Sequence, residues 1–354
     1  VEDIEVNIFW DGDYLRYVTG DSNGSFSFVC EDDWSCSDLD HPVGVIPVEL
    51  DFGGFGYYLP SNYIANYTIW GSTNISITEF SDLVIAGNNV SFKGFIENDL
   101  AVPLDREIKI LWNGITRTTA ESVNGNFEGS FKIPYDTMVG NHSLTAKVED
   151  QNFLRESSDE VNVFVMRETE IVIQWFGGYR DQTSIVSGYL RDSAGTGLPD
   201  LDLEFYFDGM YVGNFTTQNL GLYSFDFLVP KDTSLGSHRI SVFFQGSNFY
   251  VESDNSQDSD ILASTDFNFL DIEVFRNQEF LLKSNLIDDL GNPMFNQHIN
   301  LTFNGKKYHL ITDADGLVQQ NITLPSNFKL GNYVAEWDYS GFEYYLPSNN
   351  QQNI

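Results

Sequence analysis

The chain has 354 residues, with 52 acidic against 18 basic side chains and a formal net charge of −34. This charge excludes a nucleic-acid binder, since phosphate backbones are bound by basic patches, and it disfavours anionic membrane surfaces for the same reason. Apolar residues make up 42% and aromatic residues 15% of the chain, whereas disordered acidic chains are poor in aromatics, so the composition predicts packed cores in about two to four domains.

The first predicted element is a strand at the start of the chain. Apolar residues alternate with polar ones at Ile4, Val6, Ile8 and Trp10, which is typical of a half-buried strand. Asp11-Gly12 follows, and such a pair suits a tight hairpin because both residues tolerate positive φ. The chain begins at Val1 without a signal peptide, and the sequence has no apolar run of 18 residues. We therefore expect a processed or excised piece of a protein, with no transmembrane segment in this window.

Four markers recur along the chain with a period of about 95 residues. In each copy a strand with alternating apolar residues precedes the turn pair, and the last residue of that strand is aromatic. The turn pairs are Asp11-Gly12, Asn113-Gly114, Asp208-Gly209 and Asn304-Gly305. Two series of single glycines follow, first Gly24, Gly125, Gly221 and Gly316, then Gly44, Gly140, Gly236 and Gly331. The last marker is an aromatic residue, Tyr58, Phe153, Tyr250 or Tyr345, which in the first and last copies begins the motif Tyr-Leu-Pro-Ser-Asn. A fixed period of this kind indicates tandem repeats.

The first copy differs from the others by an insertion. Its interval between the two glycine series, Gly24 to Gly44, is five residues longer than in the other copies, and the added stretch holds both cysteines of the chain, Cys30 and Cys36. We expect a disulfide that closes this loop, with two free thiols as the alternative.

The second copy predicts about seven strands, centred near 74–80, 89–97, 106–112, 115–121, 126–133, 142–149 and 160–166. No segment shows a helical apolar period. Short strands separated by turns every 8–12 residues indicate an all-β fold of tandem Ig-like β-sandwich domains. The period places four copies at 1–70, 71–167, 168–264 and 265–354. By this alignment the first copy lacks its first two strands and the last copy lacks its last strand.

Open sandwiches would expose apolar faces and strand edges. Two interpretations follow: the chain is a window of a longer repeat protein, or neighbouring chains exchange strands in a fibre.

The fourth copy carries a family resemblance, in Asp289-Leu290-Gly291-Asn292-Pro293, Ile299 to Gly305, Thr312 to Gly316, Leu324-Pro325 and Leu330 to Tyr333. It resembles the bacterial-Ig and invasin-type modules and the tandem Ig-like domains of archaeal cell-surface and S-layer proteins. This resemblance implies an extracellular stalk, coat, filament or adhesin of a prokaryote, more archaeal than bacterial in type. The motifs specify fold and repeat, and fold alone says little about function.

Two classes of surface site follow from the residue types. Asn-x-Ser/Thr sequons are candidate glycosylation sites, although Asn/Thr-rich strands produce the same pattern; they are Asn23, Asn66, Asn74, Asn89, Asn141, Asn214, Asn300 and Asn321. Acidic clusters at the expected junctions between copies offer oxygen ligands for calcium, or are solvated linkers; the candidates are Asp159, Glu160, Asp254, Asp258 and Asp260.

The sequence holds no catalytic motif. Of the histidines His41, His142, His238, His298 and His309, the second and third share one repeat position, which Ile46 and Tyr333 fill elsewhere, so packing explains them. Lys93 and Lys283 give no repeated register for isopeptide bonds. We therefore expect a non-catalytic extracellular protein that associates with itself or with neighbouring domains. The alternatives are a glycan-binding or adhesive array that uses exposed aromatics, and ancillary domains of a secreted enzyme.

Overall fold

A computed structural model describes residues 3–28 and 43–354 and divides the chain into two compact units, Val1–Met166 and Arg167–Ile354. The described residues are almost entirely strand and loop, without an α-helix; a single 3-10 turn spans Asn219–Gly221. The all-β class is therefore confirmed.

The first unit contains twelve strands in its described residues. They are β1 (Glu5–Trp10), β2 (Asp13–Thr19), β3 (Gly44–Phe52), β4 (Ser61–Ile69), β5 (Thr73–Phe80), β6 (Leu83–Ile85), β7 (Asn89–Asn98), β8 (Glu107–Trp112), β9 (Ile115–Glu121), β10 (Asn126–Lys132), β11 (Gly140–Val148) and β12 (Ser157–Met166). The first four form one sheet in the order β2-β1-β3-β4. The others form a three-stranded sheet, β10-β7-β5, and a five-stranded sheet, β6-β12-β11-β8-β9.

The two sheets of the second copy enclose a core of inward aliphatic and aromatic side chains. Ile108, Ile110 and Trp112 on β8 are almost fully buried, as their alternation predicts, and Phe92 of β7 and Phe127 of β10, in the other sheet, belong to the same cluster. Inward side chains on both sheets are what an Ig-like sandwich requires.

The second unit repeats this arrangement twice. Its strands are β13 (Thr169–Gln174), β14 (Gly178–Tyr179), β15 (Thr183–Asp192), β16 (Asp202–Phe207), β17 (Met210–Thr216), β18 (Leu222–Leu228), β19 (Gly236–Phe244), β20 (Ser253–Leu262), β21 (Thr265–Asn268), β22 (Glu279–Asp288), β23 (His298–Phe303), β24 (Lys306–Ile311), β25 (Leu317–Thr323), β26 (Val334–Tyr339) and β27 (Ser348–Asn353). The sheets are β13-β15-β18 against β14-β20-β19-β16-β17, and β21-β22-β25 against β24-β23-β26-β27. Each pair encloses its own core, so the tandem Ig-like β-sandwich fold is confirmed.

The hairpin turns have the backbone that the turn pairs predict. Asn113 and Gly114 have φ of 50° and 78°, as a two-residue turn with two positive φ angles requires, and the three other pairs agree within 15°. These turns place β1, β8, β16 and β23 beside the strands that follow them.

One expectation about the ends of the chain is wrong. The fourth copy does have a final strand, because β27 pairs antiparallel with β26 from Ser348 to Asn353. Its sequence has no apolar alternation, and its inward residue Gln352 is instead buried through hydrogen bonds. In the first copy, Val6 and Ile8 of β1 and Ile46 of β3 are buried; that this copy lacks its first two strands stays a prediction.

The sequence also does not reveal the short strand after the opening one. β6 pairs parallel with the end of β12, and β14 pairs parallel with the end of β20. Two or three residues are too short a run to show a period.

Candidate functional site: the linker clamps

One linker residue stands at the start of each of the last three copies, and a loop of the copy that it enters binds it. Gly71 donates its N–H to the carbonyl of Phe153 (2.9 Å) and accepts from the N–H of Arg155 (3.0 Å). Arg167 is bound in the same way by Phe249 and Val251, at 3.0 and 2.8 Å. Each linker residue therefore forms a parallel bridge to the loop residue between its two partners. We name this arrangement the linker clamp.

The third clamp repeats these contacts. Ala263 donates to the carbonyl of Tyr344 and accepts from the N–H of Leu346, both at 2.9 Å. The linker residues Gly71, Arg167 and Ala263 thus recur every 96 residues. Two backbone hydrogen bonds on one residue fix the direction in which the chain enters a sandwich, whatever the side chain of that residue is.

The clamp loop contains the Tyr-Leu-Pro marker, but in the second copy the bridging residue lies one position later than the marker predicts. The sequence aligns Phe153 with Tyr58, Tyr250 and Tyr345, but Leu154 is the bridging residue there. The clamp binds through backbone atoms, so the position of the aromatic side chain does not determine which loop residue pairs with the linker. The loop turns tightly, with Asn152 and Phe153 both at positive φ.

A threonine two residues beyond the linker residue reinforces two clamps. The hydroxyl of Thr169 donates to the carbonyl of Val251 (2.9 Å) and lies 2.6 Å from the hydroxyl of Ser253. Thr265 makes the same contacts to Leu346 and Ser348, at 2.9 and 3.0 Å. Sequence reasoning missed these residues, although Thr73, Thr169 and Thr265 share the 96-residue period.

Buried ion pairs add charge to the junction around the third copy. Arg167 reaches Asp192 at 2.5 Å, with the Asp192 side chain 1% exposed. The other carboxylate oxygen of Asp192 accepts the N–H groups of Ala194 and Thr196, which fixes the turn after β15.

A second ion pair joins the third and fourth copies. The guanidinium of Arg180, which follows β14, contacts both carboxylate oxygens of Asp289 at 3.1 and 2.5 Å. Both side chains are largely buried, 9% and 14% exposed. Bidentate pairing restricts relative rotation more than a single contact does. The ring of Tyr344 packs against Gly236 in the same junction.

The linker in the first unit uses aromatic contacts instead. Trp70 packs edge-on against Phe153, with ring centroids 5.7 Å apart, and the guanidinium of Arg155 lies 4.2 Å from the Trp70 ring. The N–H of Asp99 also donates to the carbonyl of Ser72, and the N–H of Ser72 donates to the Asp99 carboxylate, both at 3.1 Å. The first clamp is therefore stabilised by stacking and the later ones by ion pairs.

The predicted calcium ligands do not lie in linkers and do not converge. They belong to β12 and β20, which pair along nine residues with β11 and β19. Asp159 accepts the N–H of Ile77, and Arg239 binds both oxygens of Asp258 and holds the pKa of that carboxyl below its ordinary value. Within residues 3–28 and 43–354, no three acidic, histidine or cysteine side chains are grouped to hold a metal ion. The candidates are Asp159, Glu160, Asp254, Asp258 and Asp260.

Most sequons lie at the surface. Seven of the eight asparagines are exposed; the half-buried one is Asn300. Its amide bonds His309 at 2.6 Å and Asp338 at 3.3 Å, so its nitrogen is already engaged. The predicted disulfide, Cys30 to Cys36, lies outside the described residues.

The repeated histidines sit against the first hairpin. His142 stacks on Trp112 at 5.1 Å, and His238 stacks on Phe207 at 5.3 Å. The Nε2 of each ring lies within hydrogen-bond distance of a backbone carbonyl, that of Met138 or Ser234. This agrees with a packing role. No helix in the described part of the chain is long and apolar enough to cross a membrane.

Comparisons with known proteins give similarity of fold type only. No family model and no curated protein matches the chain. A tetra-tandem repeat from the extending region of a large adhesion protein is 17% identical with a TM-score of 0.38, covering all of this chain and 92% of the other. The titin fragment I67–I69 is 10% identical with a TM-score of 0.43, covering 79% and 96%. A Ca²⁺-stabilised adhesin of an Antarctic bacterium is 14% identical with a TM-score of 0.27, covering 100% and 89%. Similarity this weak carries no argument about function.

Proposed function

We propose that the chain is a non-catalytic repeat segment of an extracellular cell-surface stalk, coat or filament. The recurrence of the linker clamp carries this proposal. Three linkers, at Gly71, Arg167 and Ala263, are bound by equivalent backbone hydrogen bonds. A spacer needs copies that fold around their own cores and a chain that enters each copy in a fixed direction, and the clamps supply the second property. The proposal divides the chain into four copies, 1–70, 71–167, 168–264 and 265–354.

The acidic surface fits this role. The net charge of −34 is spread over all four copies, which keeps neighbouring chains soluble and apart except where specific contacts form. Assembly through strand exchange between subunits belongs to the same proposal, as do glycans on exposed sequons. Calcium at the junctions needs ligands beyond those the described carboxylates bring together.

Single-molecule stretching of the full chain tests the spacer proposal. A copy of 96 residues, counted from Gly71 to Arg167, releases roughly 320 Å of extended chain before its folded length is subtracted. We expect separate steps of this size, one for each sandwich. A chain that extends smoothly without discrete steps would contradict the proposal. Protease treatment of intact source cells tests surface location independently.

A glycan-binding array is the second candidate, and one aromatic cluster favours it. Tyr206 packs edge-on against Tyr211 and Phe243, at 5.6 and 5.1 Å, on the outer face of the β17-β16-β19 sheet, and its hydroxyl donates to Glu204. Aromatic rings beside a carboxylate suit a sugar face and its hydroxyls. Glycan-array binding that Tyr206→Ala and Tyr211→Ala abolish would favour this function over the spacer.

A further inference from the structure

The first copy contains a loop whose backbone hydrogen bonds repeat those of the clamp loops in the second and fourth copies. Phe55 and Tyr58 exchange backbone hydrogen bonds of 3.2 and 2.9 Å. Gln151 and Leu154 do the same in the second copy, at 3.0 and 2.9 Å. The loop at 55–59 is therefore already formed in the conformation that binds a linker.

Exposure distinguishes this loop from the other three. Tyr57 is 104% exposed, whereas Phe153, Phe249 and Tyr344 at the same position are 37%, 44% and 37% exposed. Leu59 is 85% exposed. The carbonyl of Tyr57 and the N–H of Leu59 correspond to the groups that bind Gly71, Arg167 and Ala263, and within the described residues neither has a protein partner. An exposed apolar loop of this kind indicates an interaction site.

We propose that the loop at 55–59 is a fourth linker clamp, whose occupant is the extended linker segment of a further Ig-like copy of this repeat type. The inference rests on the proposed function, because it extends the clamped array by one junction. The occupant is argued from the same loop in the other three copies, which all bind a linker residue through the same two backbone bonds.

The remaining contacts specify the occupant further. Ser61 stands where Ser253 and Ser348 meet the hydroxyls of Thr169 and Thr265, and it is exposed while those two serines are half-buried. The occupant should therefore present one extended residue with free N–H and C=O groups and a threonine two residues later. Main-chain bonds supply the affinity in strand recognition, and side chains supply the specificity.

A peptide titration of the intact chain tests this assignment. The probe is the peptide of residues 166–174, which contains Arg167 and Thr169, followed by NMR at the amides of Leu59 and Ser61. We expect saturable shifts with a dissociation constant on the order of 1 mM, as suits a very small interface. The matched peptide with Thr169→Val should bind about 25-fold more weakly, since the threonine hydroxyl makes two hydrogen bonds in the other clamps.

Two chain variants separate the outcomes. Leu59→Pro removes the N–H donor and should abolish the shift at the Ser61 amide. Ser61→Ala should weaken binding about fivefold, since it removes one of the two hydrogen bonds of the threonine hydroxyl. Melting curves establish whether both variants fold. Absence of shifts at Leu59 up to several millimolar peptide overturns the proposal. Self-association of the chain that Leu59→Pro abolishes, with no effect of the peptide, also overturns it, because the loop would then bind a second chain by another contact. Protection of the Gly71, Arg167 and Ala263 amides in the same sample reports on the proposed function separately.

Discussion

The ion pair between Arg180 and Asp289 should be a strong determinant of the junction between the third and fourth copies. Removing one partner leaves the other charge buried, because the two side chains are only 9% and 14% exposed. Such a loss costs about 3–5 kcal/mol, whereas replacing both partners with apolar residues is nearly neutral. We therefore expect Arg180→Met and Asp289→Leu each to destabilise the second unit by about that amount. The double variant should recover part of the loss, because Asp288, whose carboxylate lies 3.5 Å from Arg180 and is 6% exposed, stays buried without this cation.

Thermal and urea melts of the full chain measure this effect, and hydrogen exchange on peptides of the second unit locates it. Arg239 and Asp258 provide the matched control, since they form an equally close pair, 2.8 Å, that is exposed. Water screens exposed pairs, so Arg239→Met should leave the melting midpoint nearly unchanged. Single variants of the buried pair that behave like this control, or a double variant as unstable as the sum of the singles, would refute the reasoning.

Three further predictions concern other parts of the described chain. Gln352→Ala should lower the free energy of unfolding of the fourth copy by about 2–4 kcal/mol in urea melts. The substitution leaves the indole N–H of Trp337 and the carbonyl of Leu270 without their hydrogen bonds. A decrease below about 0.5 kcal/mol, as expected for a surface change, would contradict this. Burial raises the pKa of Tyr339 to about 12, against about 10 in an unfolded chain. The stabilisation by its neutral hydroxyl is therefore complete below pH 10 and is lost as the pH rises to 12. Between these pH values the free energy of unfolding should fall less steeply with pH for Tyr339→Phe than for the parent chain, and equal slopes would refute this. EDTA should leave the melting temperature unchanged, since Arg239 already binds Asp258; a drop that added calcium reverses would establish a metal site.

The sandwich fold could be predicted because its determinants are local. Asn113-Gly114 and its equivalents demand positive φ, and the alternation at Ile108, Ile110 and Trp112 marks one buried face. Both signals depend on residue type at fixed spacing.

The last strands and the clamps could not be predicted in the same way. β20 and β27 carry polar inward side chains: Gln257 is half-buried and Gln352 is buried, and both make hydrogen bonds to distant segments, which no hydrophobic period shows. The clamps bind backbone atoms, so the residue bound can be glycine, arginine or alanine. The signals in the sequence were the recurring Tyr-Leu-Pro marker, which is the clamp loop, and the period of Thr169 and Thr265.

Amide hydrogen exchange at the linker residues measures whether the clamps hold. In the full chain, we expect protected N–H groups at Gly71, Arg167 and Ala263, since each donates to a clamp loop. The N–H of Leu59, in the loop without a described linker, should exchange as fast as an exposed turn. Linker amides that exchange as fast as Leu59 would show that the clamps do not hold and would contradict the account of a clamped repeat array.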